Sequence, residues 1–220
     1  MASETAVPTR VKICGLSTEA TLTAALEAGA DWIGLVHFAR SPRHVTLAQA
    51  AALSVLARGR AERVLLLVDP DDVLVASAVA AADPDLIQLH GRESPERVAA
   101  IRAATGRPVM KALGIATRAD LAALPAYAAV ADRILLDAKA PADATLPGGN
   151  GRRFDWELLR GTDLPHGTML SGGLDAANVA EALMRTGLRA VDVSSGVESA
   201  PGTKDPSRIA AFVAAARAAR

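Results

Sequence analysis

The chain reads Thr168-Met169-Leu170-Ser171-Gly172-Gly173 and, further on, Ala190-Val191-Asp192-Val193-Ser194-Ser195-Gly196. Each stretch is an apolar run that ends in a serine- and glycine-rich turn. Glycine lets a backbone approach a ligand closely, and backbone N–H groups at a helix start attract anions. Such turns after the last two strands of an eight-fold β/α pattern commonly hold a phosphate in (βα)8 barrels. We therefore expect a phosphorylated small molecule as ligand, bound at Ser171, Gly172, Gly173, Ser194, Ser195 and Gly196.

Outward from these turns, apolar and often β-branched runs alternate with alanine-rich helical segments along the whole chain. The predicted strands are Arg10–Cys14, Trp32–Phe38, Arg63–Val68, Leu86–His90, Val109–Leu113, Arg133–Lys139, Gly167–Ser171 and Ala190–Ser194. The predicted helices are Glu19–Ala28, Leu47–Arg58, Asp71–Ala81, Pro95–Thr105, Arg118–Leu124, Trp156–Leu159, Ala176–Thr186 and Pro206–Ala219. Eight such units predict an α/β fold, a single-domain (βα)8 TIM barrel with a parallel eight-stranded sheet. An open dinucleotide-binding sheet would show Gly-x-Gly-x-x-Gly after its first strand, which Ile13-Cys14-Gly15-Leu16-Ser17 does not match.

Local signals mark where the predicted helices begin and end. Helix starts are expected at Ser17 or Thr18, at Ser94-Pro95, at Asp175 and at Asp205-Pro206. Helix ends are expected at Gly29, Gly106 and Gly187.

Composition narrows the functional classes. Lys plus Arg and Asp plus Glu each number 24, so no net field indicates a nucleic acid or an anionic membrane as partner. The single cysteine, Cys14, cannot form an internal disulfide or by itself a zinc site, and we expect a reducing cytoplasmic setting. No apolar run is long enough to span a bilayer. Residues 1–9 are interpreted as a disordered tail without signal-peptide features, and residues 10–220 as one catalytic domain.

The longest irregular segment, residues 140–154, is rich in proline and glycine. It follows the predicted sixth strand, so it would lie on the face of the barrel where barrel enzymes carry their sites. We interpret it as a mobile loop over the site.

The end of the first strand places a thiol at that face. Because strand side chains alternate, Lys12 and Cys14 point the same way, and the apolar Ile13 points outward to the helices. A lone cysteine is often a small buried hydrophobe, but its position at a strand end beside Gly15 makes it equally a candidate for chemistry.

Polar side chains end other predicted strands or follow them. Asp137 follows an apolar run and is either a general acid or a residue that caps a loop or pairs with Lys139. Arg43 is a planar fork suited to a substrate carboxylate, or else a surface arginine.

Three inward positions suggest internal polar contacts. Gln88 and His90 share one face of the fourth strand and fit a hydrogen-bond network better than direct chemistry. Asp192 is expected to neutralise Lys12 inside the barrel, since buried charges are found paired. The histidines show no metal-ligand spacing, so no metal is predicted.

Together these stretches resemble the phosphoribosylanthranilate isomerase family of tryptophan biosynthesis. The matching segments, in order, are Val11–Gly15, Ser41–Arg43, Ile87–Gly91, Leu135–Lys139, Gly148–Gly151, Phe154–Trp156, Ser171–Leu174, Asn178-Val179, Val191–Glu198 and Pro201–Asp205. Each segment alone is weakly specific, but their order and spacing across nearly the whole chain make the resemblance strong.

The resemblance implies an Amadori rearrangement of N-(5-phosphoribosyl)anthranilate to 1-(2-carboxyphenylamino)-1-deoxyribulose 5-phosphate. It implies Cys14 as general base, Asp137 as general acid and Arg43 as ligand of the anthranilate carboxylate. The other expected substrate-binding residues are Gln88, His90, Asp192 and the two glycine turns. No cofactor is implied, and family members occur as monomers or homodimers.

Two departures concern substrate packing. His37 stands where the family commonly has an apolar residue, and the third strand lacks a Gly-Val-Phe-Val pattern. The alternatives are another sugar-phosphate barrel enzyme and a barrel that binds phosphorylated ligands without catalysis. An indole-glycerol-phosphate synthase would need a lysine acid with glutamate partners, and Lys111 shows no such companions in the sequence.

Overall fold

Eight parallel strands close into a barrel in chain order. The computed structural model describes residues 8–141, 146, 148, 149, 151 and 153–219. The strands are β1 (Arg10–Cys14), β2 (Trp32–Val36), β3 (Glu62–Leu67), β4 (Leu86–Leu89), β5 (Val109–Ile115), β6 (Arg133–Ala138), β7 (Met169–Leu170) and β8 (Ala190–Val193). β1 pairs with β2 on one side and with β8 on the other, which closes the sheet. The predicted (βα)8 barrel is confirmed.

Helices surround this barrel. They are α1 (Glu19–Glu27), α2 (Leu47–Ala57), α3 (Asp72–Ala82), α4 (Pro95–Thr105), α5 (Leu124–Ala128), α6 (Val179–Thr186) and α7 (Pro206–Ala218). Three 3₁₀ segments cover Arg118–Ala123, Trp156–Leu159 and Ser195–Val197. A short antiparallel hairpin, β9 (Glu198–Ala200) and β10 (Thr203–Lys204), follows β8.

Side-chain hydrogen bonds fix the helix starts. Thr18, Ser94 and Asp205 each accept a backbone N–H of the first turn, as predicted. Asp175 is a correction: its carboxylate accepts from the backbone of Ala177 and Asn178, and α6 begins only after Asn178. Asp175 therefore caps the turn that precedes α6.

The predicted helix ends are found where glycine can adopt a left-handed conformation. Gly106 and Gly187 are the C-caps of α4 and α6, with φ of 62° and 69°. Gly29 follows the C-cap residue of α1 directly.

Three apolar groups position the site. Outward residues such as Val11 and Ile13 pack with the helices in the main core. Inside the barrel, a lower layer contains Trp32, Val64, Leu86, Met110, Ala112, Leu135, Met169 and Ala190. Cys14, Val36 and Leu66 form a separate apolar group above it. Cys14 packs with Val36 and Leu66 inside the barrel, so its predicted inward direction is confirmed.

The predicted N-terminal tail extends too far. Residues 1–7 lie outside the described part of the chain. Thr9, which was included in the tail, is buried, and its carbonyl accepts a hydrogen bond from Arg217 of α7. The packed structure therefore begins before Arg10.

Part of the predicted loop over 140–154 also lies outside the described residues, namely 142–145, 147, 150 and 152. Among the helices described here, none combines the length and the apolar composition that crossing a membrane requires.

Candidate active site

A cavity of about 730 Å³, which includes its opening to solvent, lies at the carboxyl ends of the barrel strands. Its polar lining includes Cys14, Ser41, Arg43, His90, Asp137, Ser171, Asp192, Ser194 and Ser195. Its apolar lining includes Val36, Phe38, Leu66, Val68 and Leu174. The predicted base, acid, carboxylate ligand and both glycine turns thus come together on one cavity.

Cys14 is a buried thiol at the floor of this cavity, 4 % exposed. Burial raises the pKa of Cys14 above its usual value, because a thiolate is poorly solvated there, while the ammonium of Lys12 opposes that effect. The resting group is therefore a thiol, and loss of its proton depends on neighbouring positive charge.

Lys12 and Asp192 form a buried ion pair beside Cys14. They are register partners on β1 and β8, and Lys12 Nζ donates to Asp192 Oδ1 over 2.9 Å. Burial alone would lower the pKa of Lys12, but Asp192 and Cys14 together more than offset it, so that the pKa is raised. The other carboxylate oxygen of Asp192 accepts from Ser171 Oγ at 3.0 Å. The predicted ion pair of Lys12 with Asp192 is present, and Asp192 also connects β8 to the turn after β7.

Asp137 ends a polar chain that begins at Gln88. His90 Nε2 lies 3.2 Å from Asp137 Oδ2, and Gln88 Nε2 lies 3.0 Å from His90 Nδ1. Where the amide donates to Nδ1, the hydrogen of the neutral imidazole is on Nε2, facing Asp137. Gln88 itself is fully buried and lies beneath His90, not among the residues that line the cavity. Gln88 was expected to bind substrate, but it does not line the cavity, and its side chain contacts His90, which does.

Glycine backbones pack closely against Asp137. A Cβ placed on Gly148 would lie 2.5 Å from both Asp137 Oδ2 and His90 Nε2. Gly172, with φ of +89°, would bring a Cβ to 2.7 Å from the backbone nitrogen of Ala138. A larger side chain at position 148 would displace the Asp137 and His90 side chains, and one at position 172 would displace the backbone at the end of β6.

Arg43 is buried and held by Glu198, so the alternative of a surface arginine is wrong. Its Nε and Nη2 donate to the two carboxylate oxygens of Glu198 at 2.7 and 2.9 Å, and Nη2 also donates to the carbonyl of Gly149 at 3.3 Å. Although burial favours protonation, Arg43 and Lys204 hold the pKa of Glu198 below its usual value. The remaining nitrogen, Nη1, lies at Gly149 on the cavity wall.

Glu198 and Lys204 support the site, although no feature of the sequence assigned either of them a role. Lys204 Nζ donates to Glu198 Oε1 at 2.6 Å, to the carbonyl of Ser194 at 2.9 Å and to Ser194 Oγ at 3.2 Å. Burial lowers the pKa of Lys204, and Glu198 opposes that shift. Pro201-Gly202 is a turn signal, and the acidic Glu198 and the basic Lys204 lie on either side of it. Together they could have indicated this hairpin, although strands of three and two residues are too short to show an alternation of polar and apolar side chains.

The two glycine turns lie side by side at one end of the cavity. Asn178 donates to the carbonyl of Gly173 at 3.0 Å and thereby fixes the β7 turn. Ser194 Oγ donates to the carbonyl of Cys14, which ties the β8 turn to β1. Gly196 was expected to bind the phosphate but is not a lining residue. It packs so closely under Leu174 that a Cβ at this position would lie 1.9 Å from the Leu174 carbonyl oxygen.

Other polar groups lie apart from this cavity. Lys111 does have a carboxylate companion, contrary to the sequence expectation: Glu93 accepts from it at 2.6 Å. Both are buried, and neither lines the cavity, so they do not supply the acid of a synthase. His37 is also outside the lining, with Nδ1 at 2.8 Å from the Val45 carbonyl. Among the described residues, no group of His, Cys, Asp or Glu side chains is arranged to hold a metal.

Comparison with known proteins gives one consistent result. The family model described as N-(5'phosphoribosyl)anthranilate (PRA) isomerase matches residues 11–215. An N-(5'-phosphoribosyl)anthranilate isomerase of Azorhizobium caulinodans is 68 % identical over 95 % of this chain and 92 % of its own length. One of Rhodopseudomonas palustris is 62 % identical over 96 % of this chain and 97 % of its own length.

Solved structures agree with the sequence relatives. Phosphoribosyl anthranilate isomerase from Thermotoga maritima matches with a TM-score of 0.84 and 33 % identity, over 94 % of this chain and 98 % of that one. A phosphoribosyl anthranilate isomerase in complex with reduced 1-(o-carboxyphenylamino)-1-deoxyribulose 5-phosphate matches with a TM-score of 0.82 and 31 % identity, over the same shares. Monomers generated from the dimeric Thermotoga maritima enzyme match with a TM-score of 0.81 and 32 % identity, again over 94 % and 98 %.

Proposed function

This chain belongs to the N-(5'-phosphoribosyl)anthranilate isomerase family, and we propose that its own Cys14, Asp137 and Arg43 carry out the family's reaction. The chain is an isomerase of tryptophan biosynthesis. It converts the aminoaldose N-(5-phosphoribosyl)anthranilate to the aminoketose 1-(2-carboxyphenylamino)-1-deoxyribulose 5-phosphate. The observation that carries the residue assignment is that a thiol, a carboxyl group, a guanidinium and two glycine turns line one cavity.

Ring opening is assigned to Asp137. Its carboxyl group protonates the furanose ring oxygen while the bond from C1 to that oxygen breaks, which leaves a Schiff base between C1 and the anthranilate nitrogen. The contact with His90 and the close backbone of Gly148 hold the carboxyl group in one orientation. A fixed orientation matters because proton transfer requires the donor within hydrogen-bond reach of the ring oxygen.

Proton removal from C2 is assigned to the thiolate of Cys14. The cationic Schiff base accepts the electron pair of the broken C–H bond, and the product of this step is an enolamine. The enolamine then tautomerises to the ketone, losing its hydroxyl proton and gaining one at C1. Over the cycle one proton moves from Asp137 to Cys14, and exchange with solvent restores both groups.

Binding is assigned to the two ends of the cavity. The anthranilate carboxylate is bound by Nη1 of Arg43, which Glu198 leaves available, and the phosphate by the turns after β7 and β8. His90 and Asp192 line the same cavity. The assembly of this chain, monomer or homodimer, stays a prediction.

Turnover tests the assignment. N-(5-phosphoribosyl)anthranilate, generated in situ, is supplied to the wild type and to Cys14→Ser and Asp137→Asn. We expect turnover by the wild type and losses of at least a hundredfold in both variants, the usual size of a general acid–base contribution. Turnover that survives Cys14→Ser would reassign the base. A wild type that binds the substrate without converting it would favour the non-catalytic barrel.

A further inference from the structure

The hairpin after β8 holds a buried lysine against Ser194, whose hydroxyl is hydrogen-bonded to the backbone of Cys14. Lys204 is 5 % exposed, and its ammonium donates to Glu198 and to both the carbonyl and the hydroxyl of Ser194. Ser194 Oγ in turn donates to the carbonyl of Cys14 at 3.2 Å. Lys204 is therefore fixed in place against the strand that bears the proposed base.

The charges around Lys204 do not cancel within its own cluster. Glu198 is one carboxylate shared between two cations, Arg43 and Lys204. By contrast, Lys12 and Asp192 form a one-to-one pair. The cluster of Arg43, Glu198 and Lys204 thus carries one surplus positive charge.

Groups from every element packed around Cys14 define its electrostatic setting. From β1 comes Lys12, which favours the thiolate, and from β8 comes Asp192, which disfavours it. Gly34 on β2 contributes no side chain, and Val36 and Leu66 are apolar. Asp137 and His90 line the same cavity from β6 and from the end of β4. Lys12 lowers the pKa of Cys14 by more than Asp192 raises it, and Lys204, held by the hairpin, is a second cation that lowers this pKa.

We propose that Lys204 is a positioning residue for the general base, whose surplus charge favours the thiolate of Cys14 while its hydrogen bonds hold the β8 turn. The proposal rests on Cys14 as the base of the proposed function. It gives the hairpin a second task beside the support of Arg43 through Glu198. It also links the two ends of the site, because Glu198 contacts the carboxylate ligand and Lys204 the phosphate turn.

The test measures thiol ionisation directly and without substrate. The chain has one cysteine, so the rate of alkylation by iodoacetamide as a function of pH reports Cys14 alone. Lys204→Met should raise the apparent pKa of Cys14 by about one unit or more, the size expected for loss of a nearby opposite charge. Lys204→Arg should keep the wild-type value, since it keeps the charge.

Lys111→Met is the matched control. Lys111 is also buried, also 2.6 Å from one glutamate oxygen and also bonded to a backbone carbonyl, but it lies on β5, and its partners Gly91 and Glu93 belong to the segment after β4 and not to the β8 turn. This variant should lose stability and leave the apparent pKa of Cys14 unchanged. Equal shifts in Lys204→Met and Lys111→Met, or no shift in either, would overturn the proposal.

Two further measurements keep the outcome decisive. If Lys204→Met does not fold, Lys204→Gln removes the charge and retains a donor for the Ser194 carbonyl, and the same shift is expected. Turnover of the wild type is measured separately. A wild type without isomerase activity would refute the proposed function, whereas an active wild type with no shift in Lys204→Met or Lys204→Gln would refute only the role of Lys204.

Discussion

Arg43 donates from Nε and Nη2 to the two carboxylate oxygens of Glu198, so this arginine is oriented before any ligand arrives. Two contacts along one edge of the guanidinium fix its plane and leave Nη1 at the cavity wall. A planar fork can serve an internal and an external carboxylate together, which a point-charge ammonium cannot do.

Arg43→Lys should therefore weaken substrate binding, because lysine cannot bind Glu198 with two hydrogen bonds and still reach the cavity. We expect an increase in KM of about tenfold, which corresponds to about 1.4 kcal/mol, with a smaller change in kcat. Steady-state kinetics with N-(5-phosphoribosyl)anthranilate measure it. The control is the analogue without the carboxylate, phosphoribosylaniline, for which wild type and variant should have the same KM; an equal increase in KM for both substrates would contradict the role of Arg43.

Asp192→Asn should destabilise the fold, since it leaves the ammonium of Lys12 buried without a counter-charge. Breaking a buried ion pair from one side costs about 3–5 kcal/mol. Urea denaturation of the wild type and variant measures the loss in free energy of unfolding. Glu181→Gln, which breaks the half-exposed pair with Arg185, is the control and should cost less than about 0.5 kcal/mol. Similar losses for the two variants would contradict the claim that Asp192 is the counter-charge of the buried Lys12.

Alkylation of Cys14 should become faster with pH across the neutral range. Burial raises the pKa of the Cys14 thiol, so below that pKa the thiolate fraction grows tenfold for each pH unit. The rate at which the wild type reacts with iodoacetamide should follow this fraction and not level off before about pH 8.5, the ordinary thiol pKa. Alkylation is the suitable readout because kcat/KM also requires a protonated Asp137 and therefore reflects both groups. An alkylation rate that is flat from pH 6 upward would contradict a raised pKa of Cys14.

Gly172→Ala should damage both stability and activity. Its Cβ would meet the backbone nitrogen of Ala138 at 2.7 Å, next to Asp137, and φ is +89°. Gly29→Ala is the control, because Gly29 has a similar φ of +84° but nothing within 4 Å of its Cβ. Gly29→Ala should show only the backbone cost of about 1–2 kcal/mol and normal turnover. If the two variants have the same melting temperature and the same turnover, the close packing at Gly172 does not affect stability or activity.

Gln88→Met should lower kcat with little change in KM. Gln88 orients His90, and His90 contacts the proposed acid Asp137, whereas Gln88 does not line the cavity. The loss of one orienting hydrogen bond is worth about 1.4 kcal/mol, or about tenfold in kcat. A larger effect on KM than on kcat would place Gln88 in substrate binding after all.

Much of the barrel could be predicted because its signals are local or periodic. Strand alternation placed Lys12 and Cys14 inside, and the register of β1 with β8 pairs Lys12 with Asp192. The predicted β7, Gly167–Ser171, is reduced to Met169–Leu170, since strand ends depend on pairing with neighbours.

The hairpin and its two charged residues could not be derived in the same way. Glu198 is 155 residues from Arg43 in the chain, and its contact arises only when β8 closes against β1. Asp175 was predicted to cap a helix because Asp is favoured at the N-cap position. A side-chain-to-backbone hydrogen bond of the same kind also stabilises the turn before Asn178, and Asp175 serves that turn. Local sequence patterns therefore do not predict an ion pair between distant residues, nor whether an aspartate caps a helix or the turn before it.

The most direct test of the assigned base follows the proton at C2 of the sugar. Substrate deuterated at C2 is incubated with wild type, Cys14→Ser and Asp137→Asn, and release of deuterium to water is measured, with binding of reduced 1-(o-carboxyphenylamino)-1-deoxyribulose 5-phosphate as the check that each site is intact. The account predicts release by the wild type and almost none by either variant, because Cys14 removes the proton and Asp137 must first open the ring. Release by Cys14→Ser at a rate near that of the wild type would contradict the account.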